Sequence, residues 1–303
     1  MKQKTNLSLG SRFLSGFGHA WEWLIQKWVE TTGKEVDAAQ VPWLAGPTGK
    51  YKIGSGFYES YASEAGLTLQ HLPDAGLLQK ESFDSLKSSH FAPEKVHPAV
   101  RDFYERTARY TLDVWVQWGG LISPFARFMI TSISHNIEQL NLPLTPLTTS
   151  SGMSSEIIGL ARKSANPPSI VYTGWLRKTN ATGEIVYAGF YTTCQPPAYG
   201  GRCVKVVFPL PQGSATVLLK PVNGPGGSLK LVSRGRRFGG PGYYRIHRKS
   251  NGRLRVKHIP IEETIHVYFE GDDEFGVLHT VHDFKFWKLR FLTLHYRMTI
   301  KQK

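Results

Sequence analysis

A chain of 303 residues with 41% hydrophobic content fits a globular protein with a buried core, arranged as one large domain or two modest ones. Its 37 Lys and Arg outweigh 23 Asp and Glu to give a net charge of +14, and the excess is not evenly spread. Residues 1–149 hold 14 basic and 14 acidic side chains, so the whole surplus lies in the second part, which suits an anionic partner or surface.

The amino terminus, MKQKTNLSLG, has no apolar core of secretory type, and no window approaches the roughly 18 apolar residues of a spanning helix. A cytoplasmic protein, peripheral to the membrane at most, is the expectation. In such a compartment Cys194 and Cys203 are expected as free thiols.

Residues 11–32 read as an amphipathic helix, with Leu14, Phe17, Trp21, Leu24 and Trp28 at steps of three and four and Gly33 placed to end it. From Pro42 to Pro93 the chain is rich in Gly, Pro and Ser, which predicts a loose wrap with one helix near Gly56–Ala65. Gly46-Pro-Thr-Gly49-Lys50 is not a phosphate loop, since Leu44 stands where the first glycine belongs and Tyr51 replaces the magnesium-binding Ser or Thr. No G-x-S-x-G, H-E-x-x-H or G-x-G-x-x-G pattern occurs, which removes the commonest motif-bearing enzyme classes. A helical and irregular segment over 1–109 is therefore expected to precede a β-rich domain over 110–303.

That domain opens with Tyr110, Leu112, Val114, Val116 and Trp118 alternating with Thr111, Asp113, Trp115 and Gln117, the period of a strand. Ser123-Pro124 starts a long helix over about 123–141, with Phe125, Met129, Ile133, Ile137 and Leu140 on one face. After Ser151, short strands and turns follow without interruption. They predict an antiparallel, barrel-like or strongly curved sheet in an α+β chain, because curling removes open edges. The order of strand, long helix and antiparallel strands resembles the helix-grip (polyketide-cyclase) fold, and the strand count resembles a lipocalin-type (calycin) barrel. The former ends in a long helix, where this chain has the strand-like Phe291–Thr299.

Between Lys220 and Pro260 stand eleven Lys or Arg and no Asp or Glu. Within this stretch, Gly239-Gly-Pro-Gly242 predicts a turn and Asn251-Gly252 a second, giving two hairpins. The second hairpin would put Tyr244, Ile246, Leu254 and Val256 on one face and Arg245, His247, Arg253, Arg255 and Lys257 on the other.

A curved sheet with an apolar interior suits an amphipathic anionic small molecule or lipid, bound without catalysis. Arg234, Arg236, Arg237 and Arg245 are the candidate headgroup clamp, with Tyr243, Tyr191 and Trp115 as lining. Further polar lining is expected from Arg177, Tyr187, Glu263 and His295. A cofactor-independent acid–base enzyme in the same pocket is the alternative, with Asp113 and His266 as acid and base, the carboxyl raised beside the Trp115 indole. An anionic membrane or nucleic acid on the basic face is a third reading. No metal or cofactor is expected, because His279 and His282, three apart on a strand, point to opposite faces.

Overall fold

The structure, a computed structural model, describes residues 20, 23–49, 53–54, 56–78, 81–128, 153–162, 169–180, 182–235, 237–271 and 276–301. Ten antiparallel strands close into a barrel: β3 (Tyr110–Trp118), β4 (Met153–Arg162), β5 (Ile170–Thr179), β6 (Ile185–Cys194), β7 (Cys203–Leu210), β8 (Gly213–Asn223), β9 (Leu229–Val232), β12 (Ile261–Glu270), β13 (Val277–Phe286) and β14 (Leu289–Ile300), which returns to β3. The expected α+β barrel is what the chain forms. The two-residue period that a sheet with one inward face requires is clearest in β3 and β9. Leu112 and Val114 face the lumen, and Thr111 and Asp113 face outward.

Four further strands lie outside the circuit. β2 (Leu67–His71) pairs with the second half of β4, leaving β3 and β4 joined through the single register pair Leu112 and Met153. β1 (Lys34–Val36), β11 (Leu254–Ile259) and β10 (Gly242–Arg248) form a flap on β8. β8 therefore forks: Gly213–Leu218 pair with β10, while Lys220–Asn223 pair with β9 and close the barrel. This corrects one expectation. Gly239–Gly242 is not a hairpin turn, because β9 and β10 pair with successive halves of β8 and not with each other. β9 stops at Val232, where Ser233 takes up hydrogen bonds with Glu263 on β12 (Ser233 N to Glu263 O 2.9 Å, Glu263 N to Ser233 Oγ 2.7 Å).

The chain between the two strands is held by Tyr244, whose hydroxyl donates to Gly240 O at 2.8 Å and accepts from Gly239 N at 3.2 Å. The second hairpin has the expected faces. Tyr244, Ile246, Leu254 and Val256 cover Val41, Trp43 and Leu44, with the Trp43 and Tyr244 rings 5.3 Å apart. Its basic face meets helix α1 (residues 23–32 as described) and β1. Glu35 receives Lys249 at 2.9 Å, Arg255 at 2.8 Å and Arg253 at 3.2 Å, while Lys257 Nζ lies 5.0 Å over the Trp28 ring. The basic stretch thus spends much of its charge docking the amino-terminal elements. Of the expected helix over 11–32, the residues before 23 apart from Ala20 lie outside the described ones; of that over 123–141, residues 123–128 are helical and the rest lie outside.

One barrel end, here the lower, is plugged by residues 72–78 and 81–109. Helix α3 (Pro98–Glu105) turns Val100, Phe103 and Tyr104 into the main core. Asn223 exchanges two 2.9 Å hydrogen bonds with Ala92, and His97 stacks on Phe269 at 4.6 Å. Gly76 permits a close approach within the plug, since a Cβ there would lie 2.1 Å from Tyr104 O. Helix α2 (Phe57–Glu64) lies outside the wall, with Tyr58 against Phe190 at 5.3 Å. β6 is consequently buried on both faces nearly throughout. Among the described residues no helix is long and apolar enough to cross a membrane, a statement that does not extend to β-barrels.

Candidate functional site

The lumen changes character along its axis. Towards the plug, Leu112, Val204, Leu219, Leu229, Leu278 and Met298 fill it and are fully buried. Burial of each such side chain contributes about 1.5–3 kcal/mol. Towards the other end the inward residues are only half-buried, and beside Val116 they are large or polar: Trp118, Arg177, Phe208 and Tyr243. This upper lumen is the candidate site.

Arg177 is its centre. Inward-facing Trp175 and Arg177 stand two apart on β5, Tyr187 comes from β6, and Tyr296 comes from β14 across the barrel. The guanidinium carbon lies 4.5 Å from the Trp175 ring centroid, 5.0 Å from Tyr187 and 5.4 Å from Tyr296. Rings from separated strands meet one cation only inside the closed sheet. Among the described residues no carboxylate forms an ion pair with Arg177, and its buried Nε has no hydrogen-bond partner. Trp118 Nε1 and Thr173 Oγ1, on inward-facing positions, are likewise buried without partners.

A second polar group stands nearby. Glu263 is buried on β12, and its carboxylate lies 3.3 Å from His282 Nε2 on β13. Burial pushes the phenols of Tyr187, Tyr191 and Tyr243 up, and the Glu263 charge adds to each. These hydroxyls stay protonated at neutral pH and are available as donors. The lumen therefore offers a cation, protonated phenols and aromatic faces around one carboxylate–imidazole pair.

Of the expected site residues, Tyr191, Tyr243, Arg177, Tyr187 and Glu263 converge here, and the rest do not. Asp113 and Trp115 share a face, but it is the outer one, with Trp115 49% exposed, so no closed space surrounds that carboxyl. His295 is also outside, opposite Trp115 and 3.1 Å from Gln117. His266 packs outside against Tyr268, opposite Lys230. Arg234 pairs loosely with Glu262 at 3.6 Å, Arg237 is exposed, and Arg245 donates to the backbone oxygens of Ser214 and Ile246. Arg236 lies outside the described residues. The expected headgroup clamp is thus not assembled; the cation in the lumen is Arg177. Tyr296 and the pairing of His282 with Glu263 escaped the sequence reading, although Tyr296 falls in phase with inward Leu292, Leu294 and Met298.

Two clefts open on the outer surface and hold no comparable group. One, of about 740 Å³, lies beside the β3–β4 seam, where Arg109 is paired with Asp74 and His71 with Glu156. The other, of about 480 Å³, lies along His247–Asn251. Cys194 and Cys203 are buried free thiols in register on β6 and β7, and burial raises both. Among the described residues no three His, Cys, Asp or Glu converge as metal ligands.

Three imidazoles give the fold a pH limb. Burial holds His247, His258 and His266 below the usual 6.5, with Arg245 adding to the effect at His247 and Lys230 at His266. The unfolded chain then binds protons at higher pH than the folded one, so stability is full above 6.5 and is lost as pH falls through the depressed folded values. The urea midpoint is expected to be flat from about pH 8 to 7 and to fall from about pH 6.5 to 5.5. A midpoint constant over the whole range would refute this assignment.

Comparison with known proteins gives one curated match, "Uncharacterized membrane protein YndJ" from Bacillus subtilis (strain 168), 29% identical over 289 residues. The alignment covers 95% of this chain and 48% of YndJ, so the chain spans about half the length of the curated relative it matches. No family model matches the chain, and no solved structure matches it.

Proposed function

We propose that this protein binds an amphipathic anionic small molecule in the upper lumen, with Arg177 pairing its head and the Trp175, Tyr187, Tyr191 and Tyr243 rings holding its body. The observation that supports this reading is a guanidinium inside the barrel that, among the described residues, no carboxylate pairs, the lumen's Glu263 lying against His282 instead. Desolvating such a charge costs several kcal/mol. Each cation–π contact returns about 0.5–2 kcal/mol. A carboxylate or phosphate would add charge-assisted hydrogen bonds, including one to the orphaned Nε. The relative's description as a membrane protein favours a lipid-like ligand.

A second reading rests on the Glu263–His282 pair, which would serve as acid and base for cyclisation, hydration or isomerisation of the same ligand. Native mass spectrometry of gently purified protein, followed by thermal shift with fatty acids, aromatic acids and their neutral amides, tests both readings. Binding predicts an adduct or a stabilising shift selective for the acids, and catalysis predicts a product of altered mass or structure. A protein that is free of ligand and silent to the whole panel removes the lumen as a site.

A further inference from the structure

The rim of the barrel opposite the plug carries a second feature, separate from the lumen and not resting on its reading. The β13–β14 hairpin turns through Trp287 and Lys288, whose φ values of 46° and 73° both lie in the left-handed region. A two-residue turn of this kind is least costly with Asn-Gly. A bulky aromatic there is strained, and such strain gathers at functional positions. Trp287 is 71% exposed and Leu289 52%. The neighbouring chain adds to them: Gly119 N donates to Phe291 O, and directly after Gly120 stands Leu121, 95% exposed, followed by Phe125 at 58%. Lys285, Lys288 and Arg290 flank this apolar group on the same hairpin, against one acid, Asp283, 3.8 Å from Arg290.

We propose that this rim docks on an anionic lipid bilayer, with Trp287, Leu289 and Leu121 entering the headgroup boundary and the three cations facing lipid phosphates. Apolar side chains ringed by Lys and Arg have the chemistry of an interfacial anchor, and an indole at the boundary suits its half-polar character. Each cation near an anionic surface adds to the attraction. The charge on the hairpin commits the occupant to an anionic bilayer over a neutral one.

Co-sedimentation with vesicles of phosphatidylcholine, with and without phosphatidylglycerol, tests the proposal. The protein is expected to sediment with the mixed vesicles and to be released by salt. The Trp287→Ser/Leu289→Ser variant should lower partition by about tenfold or more, from the apolar area it removes. The Lys285→Gln/Lys288→Gln/Arg290→Gln variant should remove the preference for phosphatidylglycerol and the salt sensitivity. Circular dichroism and melting confirm that the exposed replacements leave the fold intact. The proposal is overturned if neither vesicle binds, if both bind equally, if the apolar variant binds like the parent, or if the rim is instead buried by self-association in gel filtration. Binding of soluble acids by the apolar variant should be unchanged, so failure of the rim and failure of the lumen are told apart.

Discussion

Arg177→Met is expected to leave the melting temperature unchanged or raise it, and to weaken binding of an anionic ligand by about 10- to 100-fold, the effect of losing a hydrogen bond to a charged group worth about 1.5–3 kcal/mol. The two effects point in opposite directions because the residue serves ligand and fold differently. In the unliganded protein the guanidinium is a desolvated charge with aromatic faces around it and an unpaired Nε. Methionine fills similar volume, keeps contact with the Trp175 and Tyr187 rings and removes the desolvation cost. A neutral amide of the same ligand should bind the variant and the parent equally. Arg177→Lys should recover part of the affinity, since a lysine keeps the charge but loses the planar fork and the stacking. Calorimetry with the acid and its amide reads each arm. An Arg177→Met protein that binds the acid as tightly as the parent would sink the assignment, and one that melts far lower while losing acid and amide alike would make Arg177 a structural residue.

The period of the strands was legible, and with it the barrel. Alternation over Tyr110–Trp118 and the paired faces of Tyr243–Ile259 correspond to β3, β10 and β11, because a side chain's face depends only on its parity along the strand. Strand partnership was not legible. One strand, β8, takes three partners, and nothing in Gly239–Gly242 distinguishes a hairpin turn from a crossing between two halves of the same neighbour. The site was hidden for the same reason. Density of charge drew attention to Arg234–Arg245, whereas the lumen cation is an isolated arginine in an aromatic strand, made significant by Tyr296 more than a hundred residues away. Glu35 sits in an unremarkable three-residue strand, yet it takes three of the cations that gave the basic hairpin its apparent purpose.

Tyr58→Ala should produce the largest loss of stability, about 3–5 kcal/mol, in the range of deleting a buried aromatic side chain. Helix α2 has eight residues and no side-chain hydrogen bond at its amino-terminal cap, so it is too short to persist without tertiary packing. Its anchor is Tyr58, fully buried, with its hydroxyl 2.9 Å from Gly189 O and 3.1 Å from Trp175 O. The ring lies on Gly174, where a Cβ would come 2.4 Å from Tyr58 Cε1. Tyr58→Phe keeps that packing and removes the hydrogen bond, for an expected loss of about 1 kcal/mol. Gly174→Val leaves Tyr58 untouched but occupies its seat, and should approach the loss of Tyr58→Ala by forcing α2 off the wall. Chemical denaturation of the three variants separates packing from hydrogen bonding. Trp175 and Gly189 also form the wall behind the Arg177 site, so a lifted α2 is expected to loosen that site as well. Equal losses for Tyr58→Phe and Tyr58→Ala would assign the anchor to the hydroxyl, and a loss below about 1 kcal/mol for Tyr58→Ala would show that α2 does not brace the barrel.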